Sequence, residues 1–162
     1  MKKYVLAMVM AVAVILPAAP AHAATMTIED PNTDAQVRNA PPARAKSTAE
    51  IKKMTVWKSN GMAYFRFHQA ELKWRSTDRA YFTLRTGSGW WRYSPQLGMV
   101  YASSCIVAVS GRYDLTTDTV TISVPTSCFL RGRNTVKGDT EFKLPSGAKA
   151  FDGTRIGEYT FR

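Results

Sequence analysis

The dipeptide Asn60-Gly61 stands between two runs in which apolar and polar residues alternate, and this combination constrains the fold more than any other stretch of the chain. Asn-Gly accepts the positive φ angles of a tight primed turn, so IKKMTVW and MAYFRF read as the two arms of a β-hairpin. In the second arm Ala63, Phe65 and Phe67 fall on one face and Tyr64, Arg66 and His68 on the other, the period of a half-buried strand. In the first arm Met54 and Val56 share a face, whereas Ile51 has the opposite parity, which predicts a bulge or a loose strand start.

Further strands are expected at RAYFTLRT (79–86), GWWRY (89–93), MVYAS and CIVAVS (99–110) and TVTISVP (119–125), with RYDLTTDT supplying a second hairpin connection. A weaker pair, DTEFKL and GEYTF, closes the chain. HQAELKWR shows no convincing helical period and reads as a loop or strand end. Short strands, regular turn signals and β-branched or aromatic enrichment predict an all-β fold, an antiparallel β-sandwich with a barrel as the alternative, over residues 50–162. Residues 24–49, with prolines at 31, 41 and 42 and little apolar periodicity, read as a linker or extended edge segment. Within it Met26 and Ile28 alternate with Thr25 and Thr27 as a short strand would, but a flexible segment is the expectation.

Residues 1–23 place Lys2 and Lys3 before an apolar run, then Pro17, Pro20 and Ala21-His22-Ala23, the order of a cleavable secretory signal. A retained membrane anchor is the alternative reading. No cysteine stands directly after the cleavage site to carry a lipid and no Arg-Arg pair precedes the apolar run, so the expectation is a secreted protein without a stable anchor. One domain, acting as a monomer, suits the remaining length. The chain's 22 basic and 12 acidic residues leave, once Lys2 and Lys3 are removed, a formal charge of +8, which favours polyanions. The two cysteines, Cys105 and Cys128, are expected to pair in an oxidising compartment.

Enzymatic signatures are sparse. His68 is the only histidine after Ala23, it lies beside aromatics, and no G-x-S-x-G elbow is present, so no catalytic residue is assigned. Glu71, Asp78, Asp114, Asp118, Asp139, Glu141, Asp152 and Glu158 sit mostly in turn-like or polar contexts and read as turn formers rather than a catalytic pair. No CxxC or HxxxH spacing supports zinc. Glu29, Asp30, Asn32 and Asp34 crowd together and Asp114 and Asp118 flank a turn, but neither group has EF-hand spacing. No cofactor or metal is therefore assigned, with calcium as the alternative.

The run RYDLTTDTVTISVPTSC (112–128), following CIVAV (105–109), resembles a group of small exported actinobacterial proteins of uncharacterised function, with looser similarity from Glu50 to about Leu130. The resemblance implies that the Tyr-Asp turn joins two strands and that Cys105 bridges to Cys128. It brings no catalytic residues. The functional expectation rests instead on aromatics interleaved with cations, since flat rings stack on sugars or bases while cations hold acidic groups. Trp57, Trp90, Trp91, Arg92 and Tyr93 are the expected contacts of a non-enzymatic, secreted or surface-associated module for an envelope polymer, extracellular glycan or other polyanion. In adjacent strand positions Trp90 and Trp91 must point to opposite faces, so at least one of them is expected to be buried. The alternative is an exported-protein partner or a protease inhibitor, presenting Arg131, Arg133 and Lys137 on the loop FLRGRNTVKG.

Overall fold

The computed structural model describes residues 24–30, 33–105 and 109–161. The signal sequence read in 1–23, Asn32 of the acidic run and positions 106–108 of the CIVAV run lie outside the described residues.

The Asn60-Gly61 turn forms as expected, with φ of 50° and 74°, between β3 (Ile51–Ser59) and β4 (Met62–Gln69). The register slips between Ile51 and Lys53, and that slip lets Ile51, Met54 and Val56 all reach the core despite their mixed parity. The RYDLTTDT connection joins β8 (Ser110–Asp114) to β9 (Thr119–Pro125), and the Asp114 side chain accepts hydrogen bonds from Thr116 and Thr117 N–H at 2.8 and 3.3 Å. With β1 (Met26–Glu29), these strands form sheet A in the order β1-β3-β4-β9-β8, every pair antiparallel.

The second sheet, B, runs β2 (Gln36–Arg38), β11 (Lys149–Gly153), β10 (Arg133–Lys143), β5 (Arg79–Thr86), β6 (Gly89–Ser94), β7 (Met99–Ala102), and β12 (Gly157–Thr160) also pairs with β10. The two sheets do not close into a barrel. They stack as a sandwich over Phe65, Phe67, Ile122 and Val124 of sheet A and Phe82, Leu84, Trp91 and Phe142 of sheet B. Phe129, in the segment that crosses from β9 to β10, packs among Phe65, Trp91 and Phe161. Cys105 follows β7 and Cys128 ends the short 3-10 turn after β9, with Cα atoms 5.7 Å apart. The disulfide thus ties together two segments that pass from one sheet to the other.

Three expectations change. DTEFKL and GEYTF do not pair with each other: residues 133–143 form one continuous strand, β10, whose first half pairs with β12 and second half with β11. Arg133 and Lys137 therefore lie in a strand rather than a loop, ion-paired to Glu158 and Asp139. Finally, 24–49 is built into the fold. β1 and β2 pair with β3 and β11, and the helix α1 (Ala43–Ala49) packs against β10 and β11 with Ala45 and Ala49 buried. Thr48 Oγ1 and the Lys73 backbone hydrogen-bond to each other twice, both at 3.0 Å, which anchors α1 to the loop after β4.

Candidate functional site

Alternation along the strands of sheet A sends one set of side chains into the core and the other onto a single outer face. The antiparallel register then arranges that outer face in rows. One row runs Trp57, Tyr64, Ser123, Ser110, the next Thr55, Arg66, Thr121, Arg112, and the third Lys53, His68, Thr119, Asp114. Two adjoining hollows lie over these rows, of about 740 Å³ and 550 Å³, and they share Arg112 and Thr121 in their walls.

The smaller hollow is walled by Trp57 and Tyr64, stacked with centroids 5.0 Å apart and planes 8° from parallel. Arg66 lies 5.0 Å from the Trp57 ring centroid, and its Nε donates to Thr121 Oγ1 at 3.4 Å. Thr121 is only 6% exposed, so it forms the floor on which Arg66 is braced. Arg112 is exposed on the far side of the same threonine, paired across β8 and β9. Among the described residues, neither arginine has a carboxylate within ion-pair distance. Asp114, the acidic group of the larger hollow, is turned to the backbone of its own hairpin, and those hydrogen bonds, Thr116 N–H first, hold its carboxyl below the usual range. Burial, reinforced by Lys53 and Arg66, pushes the His68 imidazole below its ordinary value, and its Nε2 shares a hydrogen bond of 3.3 Å with Thr55 Oγ1. Both burial and the neighbouring cations favour the neutral form of the His68 ring.

The outer face of sheet B is also basic, but carboxylates stand among its cations: Arg92 and Arg38, which have no ion pair among the described residues, share their hollow with Asp139 and Glu141. Asp139 bridges Arg85 and Lys137, and Glu141 bridges Lys143 and Lys149. Its hollow beside Arg92 and Asp139 measures about 270 Å³. Trp90 lies on this face at 37% exposure, and Arg92 is half-buried there, donating to Thr83 Oγ1 at 2.9 Å with its guanidinium 5.5 Å from the Tyr81 ring centroid.

The structure therefore divides the five expected contacts. Trp57 lines the smaller hollow of sheet A, while Trp90 and Arg92 lie on the opposite side of the molecule. Trp91 and Tyr93, at 0% and 4% exposure, belong to the core, where neither reaches a ligand. Tyr93 packs against Gly111, whose position leaves no room for a Cβ: one built there would meet the Tyr93 ring at 2.2 Å. Tyr64, Arg66 and Arg112 were not singled out as contacts from the sequence. The signal that identifies them is the strand parity that places Tyr64 and Arg66 opposite Phe65 and Phe67, together with the pairing of β8 and β9.

The remaining carboxylates serve the fold. Asp78 is buried against Arg44 at 3.3 Å, and Asp118 accepts from Leu72 N–H at 2.8 Å. Asp152 accepts from Ile51 N–H at 2.7 Å, and burial pushes its carboxyl up to about 6. Asp30, Asp34 and Asp152 bring one carboxylate oxygen each within 4.8 Å of one another and are the group that a divalent cation would use among the described residues. No helix among the described residues is long and apolar enough to cross a membrane. Comparison with protein-family models, with curated proteins and with solved structures gives no match to this chain.

Proposed function

We propose that the protein is exported, loses residues 1–23, and acts outside the cell as a non-enzymatic binding module for an extracellular glycan or envelope polymer, held on the outer face of sheet A. The supporting observation is the pair of adjoining hollows that share Thr121 and Arg112, the smaller walled by the Trp57–Tyr64 stack and the larger by Arg66 and Tyr113. Such a surface offers what a sugar chain needs: aromatic area for the C–H faces of the rings and hydroxyl and guanidinium groups for the ring substituents. A shallow, open trough over a flat sheet suits a polymer that passes across it better than a small molecule that must be enclosed.

The test is retention of the chain from Ala24 to Arg162 on purified cell wall, chitin, cellulose and heparin, with and without Trp57→Ala and Tyr64→Ala together. Stacking contacts of about 1–3 kcal/mol per ring predict at least a tenfold loss of retention with the circular dichroism spectrum unchanged. Full retention by a folded double variant overturns the reading.

A partner-binding role has one observation in its favour. Leu130, 63% exposed, and Arg131 stand on a short loop held rigid by Ser88, whose Oγ accepts Leu130 N–H, and by Asn134, whose amide donates to Leu130 and Gly132 carbonyls. Inhibition of an extracellular protease, lost on Arg131→Ala, supports that role; titration without inhibition removes it.

A further inference from the structure

We propose that the ligand of sheet A is an acidic glycan, whose oxyanion sits over Thr121 between Arg66 and Arg112. This inference rests on the glycan-binding reading and narrows it. Arg66 and Arg112 belong to β4 and β8, the two neighbours of β9, so their backbones stand about 10 Å apart, two strand spacings, with Thr121 between them. Both hollows meet at this point. An anionic group placed there reaches a guanidinium on either side while the sugar ring that carries it extends towards the Trp57–Tyr64 stack.

Three features favour an anion over a neutral sugar. The first is that these cations are left without carboxylate partners, whereas on sheet B Asp139 and Glu141 each serve two. The second is the commitment of Asp114 to its own turn, which removes the nearest internal competitor for Arg112. The third is the bracing of Arg66: Thr121 holds its Nε and the Trp57 ring supports its plane, so the two terminal nitrogens remain to grip an oxyanion with little ordering cost. Carboxylate, phosphate and sulfate share this chemistry, and the arms of the test separate them.

Binding of the chain from Ala24 to Arg162 is measured at 150 mM salt, a condition set by the experimenter that screens diffuse attraction to about 8 Å. The probes are a polyuronate and its carboxyl-reduced form, a phosphate-bearing wall polymer before and after dephosphorylation, heparin and desulfated heparin, and a single-stranded oligonucleotide. The expected result is that one acidic member binds at least tenfold more tightly than its neutral counterpart. Arg66→Gln and Arg112→Gln each weaken it about tenfold and together abolish the preference. Arg85→Gln, the same loss of charge on sheet B, leaves it unchanged. Loss of equal size on Arg85→Gln reduces the effect to net charge and overturns the inference. Equal binding of acidic and neutral forms, untouched by the double arginine variant, overturns it while leaving the glycan reading standing. Tighter, arginine-dependent binding of the oligonucleotide assigns the face to nucleic acid and also overturns it. Absence of binding to every glycan removes the glycan reading itself.

Discussion

Trp90 and Trp91 differ by one position and lie on opposite faces of β6, so the same substitution has different consequences at each. Trp91→Ala empties a fully buried site against Phe129 and is expected to cost about 3–5 kcal/mol of stability, read as a fall in the denaturation midpoint. Trp90→Ala is expected to change stability by less than about 1 kcal/mol and to leave polymer retention intact, because Trp90 is exposed on the far sheet. A retention loss at Trp90 equal to that at Trp57 contradicts the assignment of the binding face. The sequence showed that these neighbours must diverge, since successive strand residues always do. It did not show which one is buried, because that depends on which side of β6 sheet A stacks. The same missing information concealed Arg112. Its own strand, SGRYD, has little alternation, and its place beside Arg66 comes only from the pairing of β8 with β9 and β9 with β4.

At the scale of elements, local chemistry was legible and tertiary chemistry was not. Asn60-Gly61 and the Asp114 turn carry their conformations in their own residues, and both hairpins form where those residues stand. Residues 133–138 contain Asn134 and Gly138, which weaken a strand in isolation, yet β10 continues through them. Gly138 is required there by packing, because a Cβ at that position would meet Phe67 at 2.5 Å. Helix α1 was hidden by its length of seven residues and by the prolines before it, the second of which, Pro42, occupies the N-cap and offers no side-chain cap to mark the start. The N-terminal segment therefore behaves as structure. A chain beginning at Glu50 loses β1, β2 and α1, exposes the edges of β3 and β11, and is expected to unfold at markedly lower temperature than the chain from Ala24, if it folds at all. Identical thermal transitions for the two chains contradict this. Opening the disulfide by Cys105→Ser with Cys128→Ser is expected to cost about 3 kcal/mol, the loop-closure estimate for their separation of 23 residues.

Over the whole molecule, the two outer faces of the sandwich treat charge differently, and neither composition nor net charge distinguishes them. Sheet B places carboxylates among its cations, whereas sheet A leaves Arg66 and Arg112 facing open hollows. The edge between β1, β3 and β11 carries a third electrostatic signature. Burial raises the Asp152 carboxyl to about 6, and burial with Asp34 nearby raises Asp30 above its ordinary value. A carboxyl raised in the folded state binds a proton there before the unfolded chain does. Its contribution to stability therefore increases as pH falls from 7 through 6 towards 4. His68, lowered in the folded state, acts in the opposite sense below its unfolded value of about 6.5. Comparison with Asp152→Asn isolates the carboxyl: in the presence of a chelator, the native chain should gain on the variant between pH 7 and pH 5, and a constant difference contradicts the assignment.

The central claim is that binding occurs over β4, β9 and β8, and mapping of backbone amide shifts tests it most directly. The 15N-labelled chain from Ala24 to Arg162 is titrated with soluble fragments of whichever polymer retains it. The account predicts perturbations centred on Tyr64, Arg66, Arg112 and Thr121, with Arg85, Trp90, Arg92 and Tyr101 unmoved. Perturbations centred on β5, β6 and β7 instead would place the ligand on sheet B and contradict it.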